Sequence, residues 1–154
     1  MTISYATNLA GVNWTEMKAS LSADDFDNGR TPQELELSFR NSHSAVVAYD
    51  SGTIVGTARV LSDGVCNAYL VDVWTRRDHR RNGIATRMIE ILTQPLLGQH
   101  VYLQTDDATD LYRKLGFREQ PIGMSKVIGR WLADGRERRA GGDGASTQGP
   151  RSGR

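Results

Sequence analysis

The stretch Arg76-Arg77-Asp78-His79-Arg80-Arg81-Asn82-Gly83-Ile84-Ala85-Thr86 gathers four arginines and a glycine immediately before an apolar helix pattern. Such a stretch can bind an anion. The first turn of a helix carries backbone N–H groups with no partner inside the helix, and the macrodipole adds about half a positive charge there. Gly83 lets a bulky phosphate approach the backbone, and Ala85 keeps the next position small. The nucleotide-triphosphate loop is excluded, because Gly83-Ile84-Ala85-Thr86 lacks its lysine. The dinucleotide fingerprint is excluded too, because it needs three spaced glycines. A solvated basic turn ahead of an ordinary helix is the plainer alternative. The second chemical candidate is Tyr112, in Asp110-Leu111-Tyr112-Arg113-Lys114-Leu115-Gly116-Phe117. Its phenol can donate a hydrogen or act as an acid, or it can simply fill a core.

Arg80-x-x-Gly83-x-Ala85 resembles the pyrophosphate loop of the GNAT superfamily of acetyl-CoA-dependent N-acetyltransferases. The Tyr112 segment resembles that family's late helix, and the likeness runs from about Ser44 to Phe117. It is faintly similar to the arylalkylamine branch. The resemblance implies an α/β (α+β) GNAT fold: a mixed, mostly antiparallel central sheet with a splayed parallel strand pair, flanked by about four helices. It implies acetyl-CoA as co-substrate and a primary amine as acceptor, with direct attack in a ternary complex. Backbone groups of Val73 and Thr75 would hold the pantetheine arm. Arg80 and the main chain of Arg81, Asn82, Gly83, Ile84, Ala85 and Thr86 would hold the pyrophosphate. Tyr112 would serve the departing thiolate, and an N–H near Val73 the oxyanion.

Asp72 is the candidate base; the alternative is a structural carboxylate paired with an arginine. At pKa about 4 it cannot readily deprotonate an alkylammonium near 10. Strand alternation places Leu70, Asp72 and Trp74 on one face, opposite Val71 and Val73, unless a bulge changes the phase. The chain departs from the family pattern at Thr105, where an asparagine is usual, and at Arg77, where a proline is usual. His79 reads as a surface residue. Trp14, Phe26, Tyr49 and Trp131, with Asp24, Asp25 and Asp27, are either core aromatics beside an acidic loop or an amine pocket.

These groups need strands and helices to hold them. Ile3 to Trp14 reads as a strand and its exit loop, and Thr15 to Leu21 as a helix capped by Thr15. Thr31-Pro32-Gln33-Glu34 opens a second helix as a capping box. Ala45–Tyr49, Thr53–Leu61 and Val65–Trp74 read as an antiparallel meander. Ile84, Met88, Ile91 and Leu92 mark one face of the next helix. His100–Gln104 then runs parallel to Val65–Trp74, because a helix crosses between them. Asp106 or Asp107 caps the Tyr112 helix, Gly116 ends it, and Ile122 to Trp131 supplies a last strand.

The chain has 154 residues and a net charge of +1, enough for one domain and no global field selecting a nucleic acid. A silent acyl-CoA-binding module and a nucleic-acid binder using Arg76–Arg81 are the rival readings. Cys66 is the sole cysteine, which excludes an internal disulfide and disfavours a cysteine-based metal site; no metal is expected. Met1–Ala10 lacks a signal-peptide pattern and no apolar run suits a membrane span, so a cytoplasmic setting is expected. Homodimers are common in such folds, and no feature marks an interface. The domain is expected over residues 1–132. Residues 133–154 hold six of the 16 glycines and five arginines, and are expected to be a disordered tail.

Overall fold

The computed structural model describes residues 1–134. The chain forms β1 (Ile3–Ala6), α1 (Trp14–Ala23), α2 (Pro32–Arg40), β2 (Ser44–Asp50) and β3 (Thr53–Ser62). It continues through β4 (Asn67–Thr75), a 3-10 turn (Arg77–His79), α3 (Ile84–Thr93), β5 (His100–Tyr102) and α4 (Thr109–Lys114). The strands make one five-stranded sheet in the order β1-β2-β3-β4-β5. The first four are antiparallel, and β5 runs parallel to β4. This is the expected mixed sheet with flanking helices.

Local sequence explains most boundaries. Thr31 accepts from the Glu34 backbone while the Glu34 carboxylate accepts from Thr31 N–H, so the capping box forms and Pro32 opens α2. Between β2 and β3, Ser51 and Gly52 both take left-handed conformations (φ 50° and 84°), the backbone of a tight hairpin turn. Helix α1 begins one residue before the expected cap. Asn13 rather than Thr15 caps it, its side chain accepting from Glu16 N–H at 3.0 Å. No side chain caps α4 in the Asp106 or Asp107 manner; Thr105 Oγ1 instead accepts from Ala108 N–H at 3.0 Å.

Two apolar layers sandwich the sheet. Under α3 and α4 lie Val46, Ala48, Val55, Leu70 and Val73 with Ile84, Met88, Ile89, Leu92 and Tyr112. Ile89, not Ile91, completes the buried face of α3. Under α1 and α2 lie Met17, Leu21, Phe26, Leu35, Phe39, Val47, Ile54 and Trp74. Gly56 allows α3 to settle closely: a Cβ there would sit 3.0 Å from Met88 Cε and 3.2 Å from Ile84 Cγ2. Sequence reasoning gave no signal of that contact.

Two differences from expectation matter for function. The segment Ile122–Trp131 forms no strand. The strand it would pair with, β5, is only three residues long, Pro121 precedes the run, and Gly123 and Gly129 interrupt it. Ile122, Met124 and Ile128 remain 87%, 91% and 84% exposed. The second difference is a bulge in β4. Pairing passes from Val71 opposite Arg59 to Trp74 opposite Thr57, so Asp72 and Val73 together face Ala58. The extra residue shifts the alternation. Leu70 and Val73 share the α3 face, whereas Trp74 joins the α1–α2 face. The grouping of Leu70 with Asp72 and Trp74 is therefore corrected.

Candidate active site

The crevice begins where β5 leaves β4. Their pairing ends at Tyr69 opposite Tyr102, while β4 continues to Thr75. Beyond Tyr69 the β5-facing edge of β4 has no strand partner, so its backbone groups are not tied into a ladder. Val73 and Thr75 lie on that stretch, and both are buried. The Thr75 hydroxyl is buried without a hydrogen-bond partner.

The basic loop follows directly. Arg76 N–H bonds Val55 O at 2.8 Å, which fixes the loop's exit from the sheet. Arg81 and Gly83 both adopt left-handed backbones (φ 64° and 75°). That tight path delivers the chain into α3 with Gly83 as its cap and no side chain bonded to the cap donors. The first backbone bond of the helix is Arg87 N–H to Gly83 O, at 3.0 Å. The N–H groups of Ile84, Ala85 and Thr86 thus lie in the first turn, where an α-helix supplies them no acceptor.

The four arginines differ. Arg76 pairs with Asp78 at 2.9 Å, and Arg77 lies 3.5 Å from Asp24. Arg80 folds back on β4, with Nε donating to Thr75 O at 3.1 Å. Its Nη2 is 3.5 Å from Asp24 Oδ2 but lacks hydrogen-bond geometry, and it is buried without a hydrogen-bond partner. Arg81 is exposed and makes no ion pair among the described residues. Three of the four charges are thus committed within the molecule, which weakens the case for a nucleic-acid surface. Asn82 braces the loop from inside, its Nδ2 donating to His79 O at 3.1 Å and Arg80 O at 3.2 Å.

His79 is not the free surface residue its sequence context suggests. Its ring sits between Asp78 (Nδ1–Oδ1 2.6 Å) and Asp50 at the end of β2 (Nε2–Oδ2 3.0 Å). Hydrogen bonds to these carboxylates hold its pKa above the usual value. It is a pin between loop and sheet. The pairing with Asp50 spans 29 residues, so no local pattern announces it.

Asp72 occupies the bulge with a left-handed backbone, φ 54°. Its Oδ2 accepts from Arg30 Nη1 at 2.7 Å and Arg59 Nε at 2.6 Å, and its Oδ1 from Arg30 Nη2 at 3.2 Å. Burial alone would raise this pKa, but the two guanidiniums overcome it and hold the carboxyl below its ordinary value. A carboxylate so placed is a worse base than a free one. The geometry fits the structural alternative and not the base. Arg30 was missed from sequence, being 42 residues from Asp72.

Tyr112 is 3% exposed, with its ring edge-to-face on Phe117 at 5.7 Å between centroids. It belongs to the core under α3 and also borders a cavity of about 1770 Å³. Burial, aided by Asp107, raises the pKa of its phenol well above the ordinary value. The cavity runs along β5 and α4, past Gln104, Asp106 and Tyr112, and does not reach the arginine loop. The proposed aromatic pocket does not assemble. Trp14 packs on Phe39 with centroids 5.6 Å apart, Phe26 and Tyr49 join the same core, and Trp131 lies apart near Ser125–Leu132. The acidic loop is also committed: Asp24 accepts from Trp74 Nε1 at 2.9 Å, and Asp27 pairs with Lys18. Among the described residues no group of His, Cys, Asp and Glu suits a metal.

An uncapped helix start, a bare strand edge and a basic loop thus lie together at the C-terminal end of β4. The chain belongs to the acetyltransferase (GNAT) family, whose description matches residues 12–117. Solved structures repeat the fold. A GNAT-family protein from Xanthomonas campestris is 21% identical with TM-score 0.70, over 83% of this chain and 94% of that one. Glucosamine-6-phosphate N-acetyltransferase from Arabidopsis thaliana is 19% identical with TM-score 0.63, over 83% and 99%. An acetyltransferase from Clostridium acetobutylicum, solved with acetyl-CoA, is 19% identical with TM-score 0.60, over 82% and 96%. No curated protein sequence matches the chain. Among the described residues no helix is long and apolar enough to cross a membrane.

Proposed function

We propose that this protein transfers the acetyl group of acetyl-CoA to the nitrogen of a small primary amine, with both substrates bound together. One observation carries the reading. Unsatisfied groups converge on the C-terminal end of β4: the buried Thr75 hydroxyl, the buried Arg80 Nη2 and the uncapped start of α3. Buried polar atoms without partners are rare in folded proteins and call for a ligand or water. A diphosphate suits the helix start, and an amide-bearing arm suits the bare β4 edge.

In this reading the N–H groups of Gly83 to Thr86 bind the diphosphate, with Arg80 and Arg81 adding charge. Val73 and Thr75 hold the pantetheine arm by their backbones, and the bound thioester supplies the acetyl group. Val73 N–H faces the carbonyl oxygen as it gains charge, the role of a preorganised donor. Tyr112 donates a hydrogen bond to the departing sulfur. Its raised pKa sharpens that assignment. An ordinary phenol near 10 facing a thiol near 8.5 already transfers its proton uphill by about 2 kcal/mol, and burial makes the transfer harder. Tyr112 therefore stabilises the sulfur without surrendering its proton.

Asp72 is tied to two arginines, so the attacking amine loses its proton to solvent. Asp106, on the cavity wall with Tyr112, is the acid placed to attract a cationic acceptor. Cys66 lies just before β4, at the end opposite Thr75, which leaves no thiol for a covalent acyl-enzyme. The test is thiol release from acetyl-CoA against a panel of amines. Release with at least one small amine, and retention of acetyl-CoA by the protein alone, is the expected result. Binding without release from any amine means a silent acyl-CoA-binding module. Failure to bind acetyl-CoA at all removes the reading.

A further inference from the structure

The buried Arg30–Asp72–Arg59 cluster has no part in the chemistry just described, and it is larger than charge neutralisation needs. Two guanidiniums meet one carboxylate in a site where the Arg30, Arg59 and Asp72 side chains are 8%, 13% and 5% exposed. A buried ion pair is seldom more stabilising than a well-packed apolar substitute; its strength is in enforcing one geometry. What it enforces is visible at the backbone. Asp72 is the residue inserted by the β4 bulge and has a left-handed φ of 54°, a conformation uncommon for a non-glycine residue in a buried strand. Its carbonyl accepts from Thr57 Oγ1 at 3.1 Å, so side chain and main chain of the residue are both fixed.

The clamp is anchored on α2 and on the segments before and after it. Arg30 Nε donates to Asp27 O at 3.0 Å, and its Nη1 to Ser38 Oγ at 3.2 Å. Arg59 Nη1 donates to Ser42 Oγ at 3.3 Å. Asp72 immediately precedes Val73, whose orientation follows from the bulge. We propose that Arg30 and Arg59, acting through Asp72, are positioning residues that hold the β4 bulge so that Val73 N–H points at the reacting carbonyl, coupling the α1–α2 side of the sheet to the acyl site. The role given to Val73 rests on the acetyl-transfer reading.

The test compares Arg30→Met, Arg30→Lys and Leu96→Ala, the last a core truncation beside Val60 and Ala68, away from the bulge. In ligand-free protein, Arg30→Met shifts the Val73 amide resonance in a ¹⁵N–¹H spectrum and speeds its hydrogen exchange. Its kcat falls about 10-fold, while KM for acetyl-CoA stays within about 2-fold. Arg30→Lys recovers part of the kcat. Leu96→Ala lowers Tm but leaves the Val73 resonance and kcat in place. An unmoved Val73 resonance in Arg30→Met overturns the proposal, as does a kcat loss that Leu96→Ala reproduces. Should Arg30→Met not fold, Arg30→Lys and Arg59→Lys are read by the same two measurements. Absence of thiol release by the wild type with every amine defeats the acetyl-transfer reading alone, because the amide spectrum still decides whether the clamp holds the bulge.

Discussion

The two sides of the β4 tip are built in opposite ways. Toward α1 and α2, its polar groups are closed into partnerships: Asp72 with Arg30 and Arg59, and Trp74 Nε1 with Asp24. Toward the arginine loop and β5, the Thr75 hydroxyl and Arg80 Nη2 lack hydrogen-bond partners, and the helix start lacks a cap. Both sides carry charge and buried polar atoms, so neither feature alone locates a site. Satisfaction distinguishes them. A saturated network is satisfied within the fold; an unsaturated one leaves groups open to a ligand or to water.

The largest expected effect tests the saturated side. Asp72→Ala leaves two guanidiniums buried beside each other and should cost about 3–5 kcal/mol in denaturant unfolding; a loss below about 1 kcal/mol would mean the cluster is slack. The same carboxylate sets an acid limit. Because its folded pKa is depressed, its contribution is complete above the unfolded value near 3.9. That contribution disappears as pH falls through the lower folded value, so acid unfolding should begin at higher pH in Asp72→Asn.

Next comes the open side. Tyr112→Phe should reduce kcat by about 100-fold with little change in acetyl-CoA affinity; wild-type turnover would return the residue to a packing role beside Phe117. Calorimetry on the loop should rank its arginines. Arg80→Ala is expected to weaken CoA binding about 10-fold, and Arg81→Ala by about 3-fold or less, since an exposed charge is screened. Equal losses, or none, would mean that the Arg80 Nη2, which makes no hydrogen bond, is not where the ligand sits.

The smallest effect concerns the pin between loop and sheet. The folded pKa of His79 is raised, so its stabilisation is complete below about 6.5 and fades as pH climbs through the higher folded value. Wild-type Tm should fall by roughly 2 °C or less across that rise, and the fall should vanish in His79→Gln. A Tm that rises instead would reverse the sign of the pairing.

Short-range patterns were legible in the sequence. The Thr31–Glu34 box, the arginine loop and the Tyr112 helix all lie within a few residues of their own signals. The bulge was not, because one inserted residue leaves composition unchanged while reversing which face Val73 occupies. Arg30 and His79 were missed for a related reason: each is defined by a carboxylate far away in the chain, Asp72 or Asp50. Ile122–Trp131 erred in the other direction, since its strand-forming residues have only the three-residue β5 as an edge to join. Tyr112 remained ambiguous because the same ring lies in the core and on the cavity wall.

Gly56 has a reach beyond its own neighbourhood. The first residue of α3, Ile84, rests on the bare backbone there, so the height of the adjoining loop above the strand tip is set by a side chain that is missing. On the acetyl-transfer reading, the seat for the diphosphate is levelled from beneath, like a table trimmed at one leg, and at a spot no ligand needs to touch.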